Sequence, residues 1–366
     1  MKKLLMILAA VIVVGVAAYF GIGGSVGLVE ATLPEFPDMP APRLQLTDER
    51  GGEISFATRT PTDLDVILAD AARGLETTGS GTLFMPEEAT AQAPVPAMVV
   101  LHGSGGISPG REMEYGKLLS ENGIAAFVVD YYTPRGITDD TPYMLRVISV
   151  TEFDIVADAY ASLRLLATHP AIDGERIGVM GFSYGGMAAR FAMDERIREA
   201  LAPGQRGFAA HVDYYGPCFQ NLGTRSTNGA PLLTLRGTED KSNDLEACAL
   251  REQEYRALGV EVETHVYEGA GHAWEVTRER EFFSDSPYVA GCEVRYDESG
   301  RSSVDGRPIV DVPIETGRAE RIVVRMQSSG PLQDCVKSGY LIGRDDETRA
   351  KSDAALLTFM KSVFAL

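Results

Sequence analysis

The chain has 366 residues, 45% of them hydrophobic and 23% charged, which is ordinary globular usage and leaves room for one large domain with additions. Its formal net charge of −18 argues against nucleic acid and anionic membrane surfaces as partners, because both would be repelled.

At the N-terminus, Met1-Lys2-Lys3 precedes an apolar stretch from Leu4 to Phe20, a positive flank and apolar core of the kind that directs a bacterial-type chain across a membrane. Residues 1–22 are therefore expected to be a signal peptide or an uncleaved membrane anchor. This predicts an extracytoplasmic, periplasmic protein, either soluble or tethered to the inner membrane. Residues 23–43 carry Pro34, Pro37, Pro40 and Pro42, which suits an extended linker. The remainder, 44–366, is expected to be the folded domain.

Strands are predicted over 53–58, 81–85, 97–101, 124–130, 177–181, 209–214, 231–235 and 262–267. Helices are predicted between them, with apolar residues at three and four spacings over 113–122 and 153–168. Strands alternating with helices imply a mostly parallel sheet covered on both faces, with catalytic groups gathered at the carboxyl ends of the strands.

Four of these strand ends carry a motif. Residues 97–101 run into His102-Gly103-Ser104-Gly105-Gly106, and 177–180 run into Gly181-Phe182-Ser183-Tyr184-Gly185-Gly186. The second is a GxSxG sequence between strand and helix, where small neighbours let the backbone turn sharply and leave the serine Oγ exposed. The strand at 231–235 ends in Arg236-Gly237-Thr238-Glu239-Asp240, and 262–267 empties into Glu268-Gly269-Ala270-Gly271-His272-Ala273-Trp274. A serine hydroxyl needs a neutral imidazole to take its proton, and a buried carboxylate to hold that imidazole's tautomer. Ser183, Asp240 and His272 supply these groups in the chain order of an α/β-hydrolase, with Glu239 and Asp244 as alternative acids. The oxyanion donors expected in that arrangement are the backbone amides of Tyr184 and Ser104, with Gly105 as the alternative to Ser104.

From about Ser80 to His272 the chain resembles the dienelactone hydrolase family of α/β-hydrolases. The similarity rests on the His102-Gly103 loop, Asp130-Tyr131-Tyr132-Thr133-Pro134-Arg135-Gly136, the segment Ile172 to Ser183, the GxxD turn from Gly237 to Asp240, and Gly271-His272. The namesake enzyme has a cysteine nucleophile where this chain has Ser183. The resemblance implies an α/β-hydrolase fold, with a mostly parallel central sheet, helices on both faces and no cofactor or metal. It also implies a small-molecule ester or lactone as substrate. A peptidase of the prolyl-oligopeptidase type shares this core but carries a large N-terminal region that is missing here, and a non-catalytic ligand-binding protein could retain the scaffold.

Beyond His272 the distance to the amphipathic terminal helix, about 346–364, is unusually long. Its intervening stretch reads as short strands over 293–296, 307–312 and 321–326. A β-rich C-terminal insertion is therefore expected at about 277–345, placed to form a wall or lid over the site. Cys218, Cys248, Cys292 and Cys335 form an even set in an oxidising compartment, and none of their spacings resembles a metal site. Cys218–Cys248 and Cys292–Cys335 are the expected disulfides, the first flanking the strand at Pro231 and the second bracketing the insertion. Arg135 could bind a substrate carboxylate or form a structural ion pair, and Trp274 could line the pocket or pack beneath it. His102 is expected to order its loop, and His169, His211 and His265 to be structural.

Overall fold

In the computed structural model, residues 24–328 and 330–366 are described. The expected leader at 1–22 lies outside the described residues. The chain enters its sheet through β1 (Gly51–Thr60) and β2 (Leu75–Phe84), followed by β3 (Val95–Leu101) and β4 (Ala125–Asp130). Then come β5 (Ile172–Phe182), β6 (His211–Tyr214), the two-residue β7 (Gln220–Asn221), β8 (Leu232–Gly237) and β9 (Val262–Tyr267).

Eight of these strands form one sheet in the order β1-β2-β4-β3-β5-β6-β8-β9. The pairs β1–β2 and β2–β4 are antiparallel, and the rest are parallel. Parallel strands covered on both faces must be apolar on both, which is why 97–101 is a continuous hydrophobic run. Its alternation divides two cores: Ala97, Val99 and Leu101 pack with the helices Glu152–Leu166 and Tyr184–Phe191. Met98 and Val100 pack with Glu112–Glu121 and Asp346–Phe364 on the other face. The helix Glu152–Leu166 starts where it does because Thr151 and Asp154 close a capping box, the Thr151 amide donating to the Asp154 carboxylate at 2.8 Å.

Past β9 the insertion contains β10 (Glu281–Val289), β11 (Val294–Tyr296), β12 (Ser302–Val304), β13 (Arg307–Pro308) and β14 (Val336–Ile342). β10 and β14 pair as an antiparallel ribbon. β13-β12-β11-β7 form a small second sheet, in which parallel pairing of β11 with β7 ties the insertion to the hydrolase core. Both expected disulfides are present, Cys218–Cys248 and Cys292–Cys335, the second closing the open end of the ribbon.

Two expectations within the insertion need correction. Residues 321–326 are not a strand but part of the helix Arg318–Ser328. The β-branched run Ile322-Val323-Val324 suggested extended chain, yet Arg321 and Arg325, one helical turn apart, both reach Asp63 from the same face. Of 307–312 only Arg307–Pro308 is strand; Ile309 and Val310 are buried in a small apolar cluster with Val294 and Val304. Among the described residues no helix is long and apolar enough to cross a membrane.

Candidate active site

β5 delivers Ser183 into a backbone conformation that side-chain-bearing residues seldom adopt, φ 53° and ψ −115°, immediately before the helix Tyr184–Phe191. The turn is held by the Ser183 amide donating to the Tyr214 carbonyl at 2.8 Å and by the Met187 amide donating to the Ser183 carbonyl at 3.0 Å. The flanking glycines are dictated by space. A Cβ on Gly181 would lie 2.1 Å from the Gly185 carbonyl oxygen, and one on Gly185 would lie 2.4 Å from that of His102. Tyr215, whose ring packs on that of His272, and Ala273 also have positive φ.

His272 follows β9 in the glycine-rich loop. Its Nδ1 lies 2.6 Å from Asp240 Oδ2 and 3.2 Å from Ser242 Oγ. Asp240 is buried, and its carboxylate also accepts from the Ser242 amide at 3.0 Å, the Ser242 hydroxyl at 2.6 Å and Asn243 Nδ2 at 3.1 Å. A carboxylate on Nδ1 keeps the proton there and leaves the Nε2 lone pair free. Of the alternative acids, Glu239 is exposed and Asp244 caps the helix Leu245–Ala257.

Ser183 and His272 border the same cleft of about 900 Å³, without a hydrogen bond between them. The cleft is open, and such contacts commonly tighten when substrate binds.

The loop at 102–106 is fastened by its carbonyls. Tyr131 and Tyr132 hydroxyls donate to those of His102 at 2.6 Å and Ser104 at 2.9 Å, and Arg146 donates to that of Gly105 at 3.1 Å. The Ser104 and Tyr184 amides donate to no group among the described residues. His102 is buried, stacked on Tyr131 with ring centroids 3.5 Å apart, and its Nδ1 meets the Gly103 carbonyl. Burial pushes its pKa down and keeps it neutral.

The structure separates the two residues expected at the pocket from the cleft. Arg135 is fully buried and forks onto Asp158, with contacts of 2.6 and 3.0 Å, so it is a structural ion pair rather than a carboxylate-binding residue. Trp274 is also fully buried, its Nε1 donating to Ser352 Oγ at 3.0 Å, and it packs beneath the site against Tyr215. The other histidines are occupied elsewhere, His169 with the Glu49 carbonyl, His211 with the Ala189 carbonyl and His265 with Glu263.

The insertion was expected as a wall or lid, but the contacts by which it holds His272 were not legible in the sequence. The ribbon holds the histidine loop: the His272 amide donates to the Leu341 carbonyl at 2.7 Å, and the Gly343 amide donates to that of His272 at 2.9 Å. Tyr340 meets the imidazole edge-on, with ring centroids 5.5 Å apart. Residues of β10 and β14 line the cleft, so the insertion forms one of its walls.

Glu152 forms a second connection. It accepts from the Tyr184 hydroxyl at 2.9 Å, Gln220 at 3.1 Å, Tyr296 at 3.2 Å and Arg325 at 3.3 Å, linking the insertion to the residue after Ser183. Burial alone would raise its pKa, but Arg325 and these hydrogen bonds more than offset it and hold the carboxyl below its usual range. Glu275, three residues past His272, shows the opposite balance. Burial, only partly relieved by the Tyr215 hydroxyl and Arg111, pushes it up to about 7.

The sequence profile of the Dienelactone hydrolase family matches residues 80–299, more than half of the chain. A curated relative from Bradyrhizobium sp., named "Probable 2-oxo-3-(5-oxofuran-2-ylidene)propanoate lactonase", is 24% identical over 164 residues. That match covers 43% of this chain and 64% of the relative, so the chain spans less than two thirds of the relative's length. Among solved structures, a dienelactone hydrolase-like promiscuous phosphotriesterase from metagenomic libraries is similar with a TM-score of 0.45 and 19% identity, covering 61% of this chain and 84% of that one. Esterase 2 of Thermogutta terrifontis is similar with a TM-score of 0.43 and 18% identity, covering 54% and 80%. On the extent of the profile match, the chain belongs to the dienelactone hydrolase family of α/β-hydrolases.

Proposed function

We propose that this protein is an exported serine hydrolase that cleaves an ester or lactone through Ser183, His272 and Asp240. The observation that carries the reading is the 2.6 Å contact between His272 Nδ1 and buried Asp240, in a cleft that Ser183 also borders. In the first half-reaction His272 Nε2 takes the Ser183 proton as Oγ attacks the carbonyl carbon. The amides of Tyr184 and Ser104 hold the oxyanion, each contributing about 3 kcal/mol to the transition state. The imidazolium then gives its proton to the leaving oxygen as the carbon–oxygen bond breaks. Water repeats the sequence, giving one proton to His272 and its hydroxide to the acyl carbon, and Ser183 recovers its proton. Family membership and the curated lactonase relative support the substrate class. Export, by a cleaved or a retained segment at 1–22, belongs to the same proposal.

The test is hydrolysis of a panel of esters, lactones and amides by wild type and Ser183→Ala. Loss of the nucleophile is expected to lower turnover on the order of a millionfold. A variant that keeps full hydrolysis would refute the mechanism.

A further inference from the structure

Two cavities meet at Ser183, and they differ in chemistry. Ser104, Tyr143, Ser183, Pro287 and Tyr340 border both. On one side lies the cleft of about 900 Å³; on the other lies a smaller cavity of about 300 Å³. The smaller one is walled by Met144, Val147, Met187, Phe219, Val289 and Val336. Of its polar neighbours, Glu152 and Gln220 are engaged in the network around Tyr184 and Ser242 on Asp240, while Tyr288 and Tyr340 present aromatic rings. Met144 and Val336 are 59% and 51% exposed at its edge, apolar side chains facing open space. The larger cleft is mixed: beside Val276, Phe282 and Phe283 it presents Ser108, Thr277, Arg278, Glu281, Ser284 and Asp285, hydroxyls and charges of both signs from residues that the small cavity lacks.

Resting on the hydrolase reading, the geometry points to which half of the substrate each cavity takes. His272 must deliver its proton to the leaving oxygen, so the alcohol has to lie beside the imidazole. His272 borders the larger cleft and not the smaller cavity, which instead runs past Tyr184 and Met187 on the elbow helix. We infer that the small cavity receives an apolar acyl chain and the large cleft a bulky polar alcohol, making the substrate a medium-chain acyl ester of a hydroxyl-rich alcohol. At about 30 Å³ per non-hydrogen atom, the acyl cavity has room for roughly eight to ten carbons. The balance is that of any ester hydrolysis: the acyl–oxygen bond of the alcohol breaks, water supplies the hydroxyl of the released acid, and its remaining proton ends on the alcohol.

The experiment measures kcat/KM of the full chain on 4-nitrophenyl esters from acetyl to dodecanoyl, and on an octanoyl ester of glucose against one of octanol. Fluorophosphonate labelling of Ser183 is run in parallel. Each added methylene is expected to raise kcat/KM about fourfold until the cavity is full, with a fall by dodecanoyl, and glucose octanoate should be preferred at least tenfold. Val289→Trp, which fills the small cavity, should lower the octanoyl-to-acetyl ratio at least tenfold. Thr277→Trp, an exposed change in the large cleft, should lower the glucose-ester preference without moving the acyl optimum. A flat acyl profile in the wild type, or an acyl optimum moved by Thr277→Trp instead of Val289→Trp, overturns the assignment even where Ser183 is labelled. An unlabelled, folded protein overturns the hydrolase reading itself.

Discussion

Asp240→Asn keeps the shape of the acid and removes only its charge and one acceptor. Oδ1 accepts from the Ser242 amide at 3.0 Å and the Ser242 hydroxyl, while Oδ2 takes His272 Nδ1 and Asn243 Nδ2. The Ser242 amide can only donate, so the new side chain is expected to keep its carbonyl there and turn its NH2 toward His272. The imidazole must then accept at Nδ1, which moves its proton to Nε2 and leaves nothing to take the Ser183 proton. A wrong tautomer of this kind costs about 10⁴ in kcat, or roughly 5 kcal/mol of barrier. The assay is kcat on a 4-nitrophenyl ester together with the thermal midpoint, which should move little because volume and most hydrogen bonds are kept. Activity within tenfold of wild type would refute the argument, as would an equal loss from Asp244→Asn, since Asp244 only caps a helix.

Glu275→Gln tests the buried carboxyl beneath the histidine. Its pKa rises on folding from 4.5 to about 7, so the folded state holds the proton more tightly. The stabilisation is full below about pH 4.5 and is lost as pH rises toward 7, by roughly 3 kcal/mol. Denaturant titrations should show that loss in wild type and not in the variant; parallel pH profiles would contradict it. Arg325→Leu leaves buried Glu152 without its cation, while Asp63 keeps Arg321, and should destabilise by about 3 kcal/mol, with a lower kcat through Tyr184, both read by denaturant titration and ester kinetics. Replacing Cys292 and Cys335 by serine opens a loop of sequence separation 43 and should cost roughly 4 kcal/mol on the chain-entropy model, visible as a lower thermal midpoint.

The parallel core was readable because burial on both faces leaves runs such as Val99-Val100-Leu101 with no polar positions. Ser183 and Asp240 each sit just past a buried strand and His272 just past the edge strand β9, all beside glycines at which a Cβ would clash, and that pattern of strand end and glycine was readable. The ribbon was not, since β10 carries Ser284, Asp285, Ser286 and Pro287 in its middle and finds its partner far along the chain, through pairings such as Glu281 with Ile342. Arg325 and Glu152 meet across a still longer stretch of chain, and nothing local in either segment announces it. Arg135 illustrates the reverse case: an arginine near a suspected pocket is ambiguous until its partner, here Asp158, is placed. The shift at Glu275 arises chiefly from burial, with a contribution from the Asp353 carboxylate, and has no sequence signature.

The most direct measurement is the mass of the protein after mixing with a slowly deacylating ester, followed by peptide mapping. The account predicts one acyl group on the peptide containing Ser183, formed in a burst with one equivalent of alcohol, and none in Ser183→Ala. Steady hydrolysis without an adduct at Ser183, or an adduct on another residue, would contradict it.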